Sequence, residues 1–123
     1  MKTYKILAID DDRVMLDMYK ALFCEPEFEL RVAEDATMGM IVFKDFKPDL
    51  LMLDVNMPAG GGCNIYERVR KIFLADMPVV FYTGLPQTVQ QLTCLPNVAV
   101  IKKPASPDTI LSQVKALLKS GRT

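Results

Sequence analysis

The segment Leu50-Leu51-Met52-Leu53-Asp54 decides the fold of this chain, because an uninterrupted apolar run ends there on a single aspartate. A strand that is apolar throughout is typical of the centre of a parallel sheet, where helices cover both faces. Three more apolar runs end on polar or charged groups: residues 5–9 before Asp10-Asp11-Asp12, residues 79–82 before Thr83-Gly84, and residues 98–101 before Lys102-Lys103-Pro104. If all four runs are parallel strands, these groups lie at one edge of the sheet, where open α/β sheets bind ligands.

Apolar runs alternate with helical patterns five times, which predicts a doubly wound α/β fold with a five-stranded parallel sheet. The predicted strands span residues 4–10, 28–33, 49–54, 78–83 and 98–102, and alternating charges place the second at a sheet edge. The predicted helices span about 13–24, 35–46, 63–74 and 86–94, and a last one starts at the N-cap Ser106, with Pro107 and Asp108 in its first turn. The predicted inner helix faces contain Val14, Met18 and Leu22; Ala36, Met40 and Phe43; Ile65, Val69 and Ile72; and Ile110, Val114 and Leu117.

The composition excludes several functions. The 123 residues include 15 basic and 15 acidic side chains, so bulk charge does not favour binding to nucleic acid or to an anionic membrane. The chain has no histidine, which excludes Ser-His-Asp catalysis and the common zinc sites. Its cysteines, at positions 24, 63 and 94, suit free thiols in a reducing cytosol. No membrane span or signal peptide is recognisable, so we expect a cytoplasmic protein with one domain, residues 1–123, and an ordered core of about 4–119.

Three carboxylates, those of Asp10, Asp11 and Asp54, would repel one another at this sheet edge unless a cation joins them. Mg²⁺ suits such a site, because it binds one or two carboxylates together with waters and phosphate oxygens. Asp10-Asp11-Asp12 taken alone also fits a helix N-terminus, and Asp12 suits that role best because it directly precedes the helix. Asp54 ends the most buried strand and is a candidate nucleophile, because aspartate can accept a phosphoryl group covalently.

Lys103 and Thr83 complete the candidate site. Lys103 is expected to pair with Asp54 and then with a phosphate oxygen, and a cis bond to Pro104 could aim its side chain. Thr83 offers a hydroxyl, and Gly84 leaves room for an anion beside the backbone. Each of these residues is common at a strand end without any function, so the prediction depends on their convergence. Phosphoryl transfer needs positioning and charge neutralisation more than acid–base groups, which is consistent with the absence of histidine.

Taken together, these segments resemble the receiver domain of two-component response regulators over essentially the whole chain. The matching segments, in the family's order and at about its spacing, are ILAIDDD, LLMLDVNMPAGGG, VVFYTG and VIKKP. Each segment alone is weak evidence, whereas the four together are highly specific. The resemblance implies a flavodoxin-like sheet with strand order 2-1-3-4-5.

The resemblance also implies a role for each site residue. Asp54 would be phosphorylated by a histidine kinase or a phosphotransfer protein, Thr83 would bond the phosphoryl group, and Lys103 would pair with it. Mg²⁺ would be bound by oxygens of Asp10, Asp11, Asp54 and the backbone carbonyl of Asn56, with Asp11 the closer ligand of the acidic pair. The chain would be a signalling switch that assists its own phosphorylation and dephosphorylation, not a turnover enzyme.

The partner surface implied by the resemblance is the face formed by the fourth helix, the fifth strand and the fifth helix. A downstream protein or a fused output domain would bind there, and the domain itself would bind neither nucleic acid nor membrane. The family usually carries an aromatic residue three positions before the site lysine, where this chain has Val100, and the segment 87–97 is slightly short. We therefore expect signalling through an atypical surface in this region.

Other readings of the same residues predict different functions. A haloacid-dehalogenase-type phosphatase also uses a strand-end aspartate, but it needs a second aspartate two residues later, where this chain has Asn56. Its acidic pair also follows the lysine, whereas Asp10 and Asp11 precede every other site residue. A receiver that only binds partners would not need the complete set of five site residues. A flavodoxin-like nucleotide carrier would need a glycine-rich loop after the first strand. Whether the chain is a whole regulator or part of a longer one stays open.

Overall fold

Five parallel strands form one sheet in the order β2-β1-β3-β4-β5, which confirms the predicted fold class and strand order. The structure, a computed structural model, describes residues 3–55, 61–71, 76–84, 86–89 and 97–120. The strands are β1 (Tyr4–Ile9), β2 (Phe28–Ala33), β3 (Leu50–Leu53), β4 (Val79–Thr83) and β5 (Val98–Lys102).

Strand β3 lies in the middle of the sheet, between β1 and β4, and its four residues are fully buried. Strand β2 lies at the edge beside β1, as its alternating sequence predicts. The register pairs Ile9 with Leu53, so the residues that follow them, Asp10 and Asp54, leave the sheet side by side. On the far side of β4, Thr83 pairs with Lys102, which brings the end of β5 to the same edge.

The described helices are α1 (Arg13–Leu22), α2 (Ala36–Phe46), α3 (Gly61–Lys71) and α4 (Pro107–Ser120), together with a short 3-10 helix, Pro86–Thr88. Helices α2 and α3 bury one face each against one side of the sheet, and α1 and α4 pack against the other side. Alternate residues of β3 enter the two cores, which explains why the whole strand is apolar. Among the described residues, no helix is long and apolar enough to span a membrane.

Most predicted helix faces are confirmed, with one clear error in α1. Val14 was predicted on the inner face, but it is 75% exposed, and the buried residues of this helix are Leu16, Tyr19 and Leu22. At 3.6 residues per turn, Val14 lies about 140° around the helix from Tyr19, so it points away from the sheet. In α4, Leu118 is more deeply buried than the predicted Leu117, which is only partly buried.

Two other predicted helices differ at their ends. Helix α3 begins at Gly61, two residues before the predicted start, and the predicted Ile72 lies outside the described residues. The predicted helix 86–94 is described only over its first residues, where the N–H of Val89 bonds to the carbonyl of Pro86 at 3.2 Å. That pairing over three residues is the 3-10 pattern, and residues 90–94 lie outside the described part.

Candidate functional site

Asp10 and Asp54 lie next to each other at the carboxyl ends of the neighbouring strands β1 and β3. Both residues are buried, with 1% and 7% of their surface exposed. A buried carboxylate is costly unless it is paired or bound to a metal, so two of them side by side indicate a site with a chemical purpose. The backbone N–H of Asp12 donates a hydrogen bond to Asp10 Oδ1 at 3.0 Å, which fixes the orientation of that carboxylate.

Lys103 bridges the two buried carboxylates. Its Nζ lies 3.0 Å from Asp10 Oδ2 and 3.1 Å from Asp54 Oδ2, so the predicted pair with Asp54 is present and a second pair accompanies it. The backbone N–H of Lys103 donates to the carbonyl of Thr83 at 2.8 Å, which ties the end of β5 to the end of β4. The peptide bond between Lys103 and Pro104 is cis, and neighbouring Lys102 is exposed to solvent as predicted.

Asp11 joins the two buried aspartates from the solvent side. One carboxylate oxygen from each of Asp10, Asp11 and Asp54 lies within 4.8 Å of the others, and Asp11 is exposed. Three carboxylates then face one ammonium group, so a divalent cation would balance the formal charge of the cluster. An all-oxygen donor set that is open to water on one side fits Mg²⁺, which keeps several of its waters when it binds to protein.

Asp12 has the other role that the sequence allowed for the acidic triplet. It is the N-cap of α1, and its side chain accepts a hydrogen bond from the N–H of Val14 at 2.9 Å. The three aspartates therefore have two roles: Asp10 and Asp11 belong to the acidic cluster, and Asp12 caps the helix.

Burial and charge act against each other in the pKa values of this cluster. Burial raises the pKa of Asp10, and the opposing effects of the Asp12 N–H and of Lys103 do not cancel that rise. Burial alone would lower the pKa of Lys103, but its hydrogen bonds and charge interactions with Asp10 and Asp54 raise it above the ordinary value. Lys103 is therefore charged at neutral pH. Burial makes the ionised form of Asp10 less favourable, and a bound cation would offset this cost.

Thr83 ends β4 at the same edge and is completely buried. Gly84 follows it, and a Cβ added at Gly84 meets no heavy atom within 4 Å, so this turn is open on the side where a side chain would lie. Asn56 and the loop 56–60 lie outside the described residues. The structure therefore brings together Asp10, Asp11, Asp54 and Lys103, with Thr83 on the adjacent strand end.

Tyr82 is a residue of this region that the sequence analysis treated only as part of an apolar run. Its hydroxyl accepts a hydrogen bond from the backbone N–H of Ala105 at 3.0 Å, and its ring centroid lies 5.5 Å from Lys103 Nζ. The available signal was a tyrosine at a fully buried strand position, because a buried phenol hydroxyl usually has a hydrogen-bond partner.

Comparison with known proteins assigns the family. The sequence model of the response regulator receiver domain matches residues 6–115. The DNA-binding dual master transcriptional regulator RpaA of Synechocystis is 30% identical over 118 residues, which cover 94% of this chain and 49% of that protein. The uncharacterized transcriptional regulatory protein YvcP of Bacillus subtilis is 25% identical over 118 residues, with the same coverage of 94% and 49%. The chain thus spans about half the length of the curated relatives it matches.

Solved structures agree with this assignment. A CheY-like response regulator receiver domain protein from Methanospirillum hungatei superposes with a TM-score of 0.83 at 26% identity, covering 97% of this chain and 96% of that one. A two-component response regulator from Clostridium difficile has the same fold, with a TM-score of 0.86 at 21% identity over 98% of this chain and 100% of that one. With the strand order and the family match in agreement, the chain belongs to the response regulator receiver domain family.

Proposed function

We propose that Asp54 is the phosphoryl acceptor of this receiver domain, and that a histidine kinase or a phosphotransfer protein is the donor. The observation that carries the proposal is the pair of contacts from Lys103 Nζ to Asp10 and Asp54, at 3.0 and 3.1 Å. When a phosphoryl group adds to one of two buried carboxylates, an ammonium held between them can move its contact from the carboxylate to a phosphoryl oxygen. Family membership supports the same chemistry, because receiver domains are aspartate-phosphorylated switches of two-component systems that use Mg²⁺.

In the forward reaction, an Oδ of Asp54 would attack the phosphorus of a phosphohistidine. The new bond joins an Asp54 oxygen to phosphorus, and the phosphorus–nitrogen bond breaks, with its electron pair going to the imidazole nitrogen of the donor, which takes a proton from solvent. Lys103 would then contact a phosphoryl oxygen, and the hydroxyl of Thr83 would donate to another. In a separate step, water would attack the phosphorus, the bond between phosphorus and the Asp54 oxygen would break, and phosphate would leave with the Asp54 carboxylate restored. The phosphorylated state would therefore be transient, as suits a signalling switch and not a turnover enzyme.

The residues that would bind Mg²⁺ are Asp10, Asp11 and Asp54, joined by the backbone carbonyl of Asn56. When bound, the cation would neutralise charge that builds up on the phosphoryl oxygens during transfer. Asp11 would be its most accessible ligand, because it is exposed whereas Asp10 and Asp54 are buried.

The output of the switch would use the face formed by the segment after β4, strand β5 and helix α4. Val100 in β5 is partly buried and packs against the core on the side of α2 and α3. A valine has no ring to exchange between an inner and an outer position, so the usual coupling of threonine with an aromatic residue has no counterpart here. We therefore propose an atypical partner surface in this region. Equal affinity of a partner for the phosphorylated and unphosphorylated forms would contradict it.

The test of the acceptor is the intact mass of the protein after incubation with a small-molecule phosphoryl donor and Mg²⁺. The expected result is one added phosphoryl group, lost in Asp54→Asn and in the presence of a chelator. Asp17→Asn is the matched control, because it makes the same chemical change at an exposed position of α1. A folded protein that binds Mg²⁺ but takes up no phosphoryl group from any donor would favour a role as a phosphorylation-independent binding module.

A further inference from the structure

Tyr82 contacts the lysine loop, which we define as residues 103–105, at two separate points. The first is the hydrogen bond in which the Ala105 N–H donates to the Tyr82 hydroxyl at 3.0 Å. The second is the ring face, which lies 5.5 Å from the ammonium of Lys103, within the range of a cation–π interaction. One side chain thus contacts the backbone of the loop and the charged group that the loop presents.

The position of Tyr82 is itself rigid. Its side chain is buried, with 2% of its surface exposed, and it enters the core formed by α1 and α4. The ring of Tyr19 in α1 packs edge-on against it, with the ring centroids 6.4 Å apart. A side chain enclosed in this way loses little further freedom when it binds the loop, so its contacts can fix the position of the loop.

We propose that Tyr82 is a positioning residue that keeps the Lys103 ammonium between Asp10 and Asp54, and this proposal rests on the function proposed for Asp54. Lys103 follows the end of an edge strand and reaches the cluster through a flexible side chain, so its place depends on where the loop begins and turns. The hydroxyl of Tyr82 fixes the loop two residues after Lys103, and the ring, which lies in the α1 and α4 core, supports the ammonium at 5.5 Å from its centroid. The carboxylates of Asp10 and Asp54 contact the same ammonium at 3.0 and 3.1 Å.

The proposal predicts effects of opposite sign on two properties of the site. A loosened Lys103 would compensate the charge of an incoming phosphoryl group less well, so transfer to Asp54 would become slower. The same ammonium repels a cation in the cluster, so its displacement would leave Mg²⁺ binding unchanged or make it tighter. A purely structural role for Tyr82 would weaken both properties together, since partial unfolding disrupts the whole edge.

The first experiment measures amide hydrogen exchange at Ala105 by NMR, which requires no phosphorylation. In Tyr82→Phe the ring is retained but the acceptor is lost, so the Ala105 N–H is expected to exchange about tenfold faster or more. Tyr19→Phe is the matched control, because it removes the same hydroxyl from the neighbouring ring of the same core. Unchanged exchange at Ala105 in Tyr82→Phe, or equal acceleration in both variants, would overturn the proposal.

The second experiment compares the phosphorylation rate at saturating Mg²⁺ with the Mg²⁺ dissociation constant. For Tyr82→Phe we expect a rate about threefold to tenfold lower, with Mg²⁺ affinity equal to or above that of the wild type. Tyr82→Leu, which removes the ring as well, should lower the rate further. A rate that falls only together with Mg²⁺ affinity would overturn the positioning role. An absent adduct on the wild type would overturn the proposed function instead, while the exchange at Ala105 would still decide whether Tyr82 fixes the loop.

Discussion

At the residue scale, the acidic cluster shows a conflict between stability and function. Asp10 is almost fully buried, and burial raises its pKa in spite of its 3.0 Å contact with Lys103. We predict that Asp10→Asn raises the free energy of unfolding of the metal-free protein by about 1 kcal/mol, because an uncharged amide relieves the desolvation and the repulsion from Asp54. The asparagine oxygen can still accept the N–H of Asp12. Urea unfolding with and without Mg²⁺ measures the effect, and Mg²⁺ should stabilise the wild type but not the variant.

The pH dependence of this difference follows from the direction of the Asp10 shift. A raised pKa means that the folded protein binds a proton more tightly than the unfolded chain does, so folding is penalised once that proton is lost. The advantage of Asp10→Asn should therefore be absent below the ordinary aspartate pKa and complete above the raised one. Unfolding curves of both proteins across that range test the sign, and a gap that narrows as the pH rises would contradict it.

At the scale of elements, the start of α1 separates two neighbouring aspartates by role. Asp12→Ala should lower the free energy of unfolding by about 1 kcal/mol, because it removes the N-cap bond to the Val14 N–H, while Mg²⁺ affinity is largely retained. Asp11→Asn should have the opposite effects, with weaker Mg²⁺ binding and stability unchanged or higher. Calorimetric titration with Mg²⁺ and urea unfolding of both variants decide the assignment. Equal loss of Mg²⁺ affinity in the two variants would show that the triplet acts as a unit.

Strand β5 and the 3-10 helix after β4 are the elements expected to transmit the switch. Both contact the end of β4, where Thr83 lies, and Val89 is fully buried beside them. We predict that phosphorylation shifts the amide resonances of residues 86–89 and 98–102 as well as those around Asp54. An NMR comparison of the two forms, with Asp54→Asn as control, measures this. Changes confined to the strand ends around the cluster would argue against signalling through this surface.

The sequence predicted the helices and strands better than it predicted which way a helix faces or which distant side chains contact the site. Uninterrupted apolar strands, the N-caps Asp12 and Ser106 and the edge strand β2 were correct, because each depends on local chemistry. Val14 was misplaced, because apolar spacing alone does not tell which way a first helical turn faces. Tyr82 was missed, because its hydroxyl bonds to the backbone of Ala105, which lies 23 residues further along the chain. The pairing of Lys103 with Asp10 also depends on tertiary structure, whereas the convergence of the site residues follows from the parallel sheet.

At the scale of the whole molecule, Mg²⁺ should stabilise the protein through the edge of the sheet. A ligand that binds only the folded state adds free energy that grows with concentration, about 2.7 kcal/mol at a hundred times its dissociation constant. The melting temperature should therefore rise with Mg²⁺ concentration in the wild type and remain nearly constant in Asp11→Asn. That the 123 residues form one receiver domain stays a prediction, and a single cooperative transition in the same experiment would support it.

We propose that Asp54, among the three clustered aspartates, is the one that receives the phosphoryl group. The most direct measurement is reduction with borohydride after treatment with a phosphoryl donor and Mg²⁺, followed by peptide mapping, because reduction converts an acyl phosphate into a stable alcohol. We expect a reduced residue at position 54 alone, and no reduced residue when Mg²⁺ is chelated. Reduction at Asp10 or Asp11, or at no residue of a folded, Mg²⁺-bound protein, would contradict it.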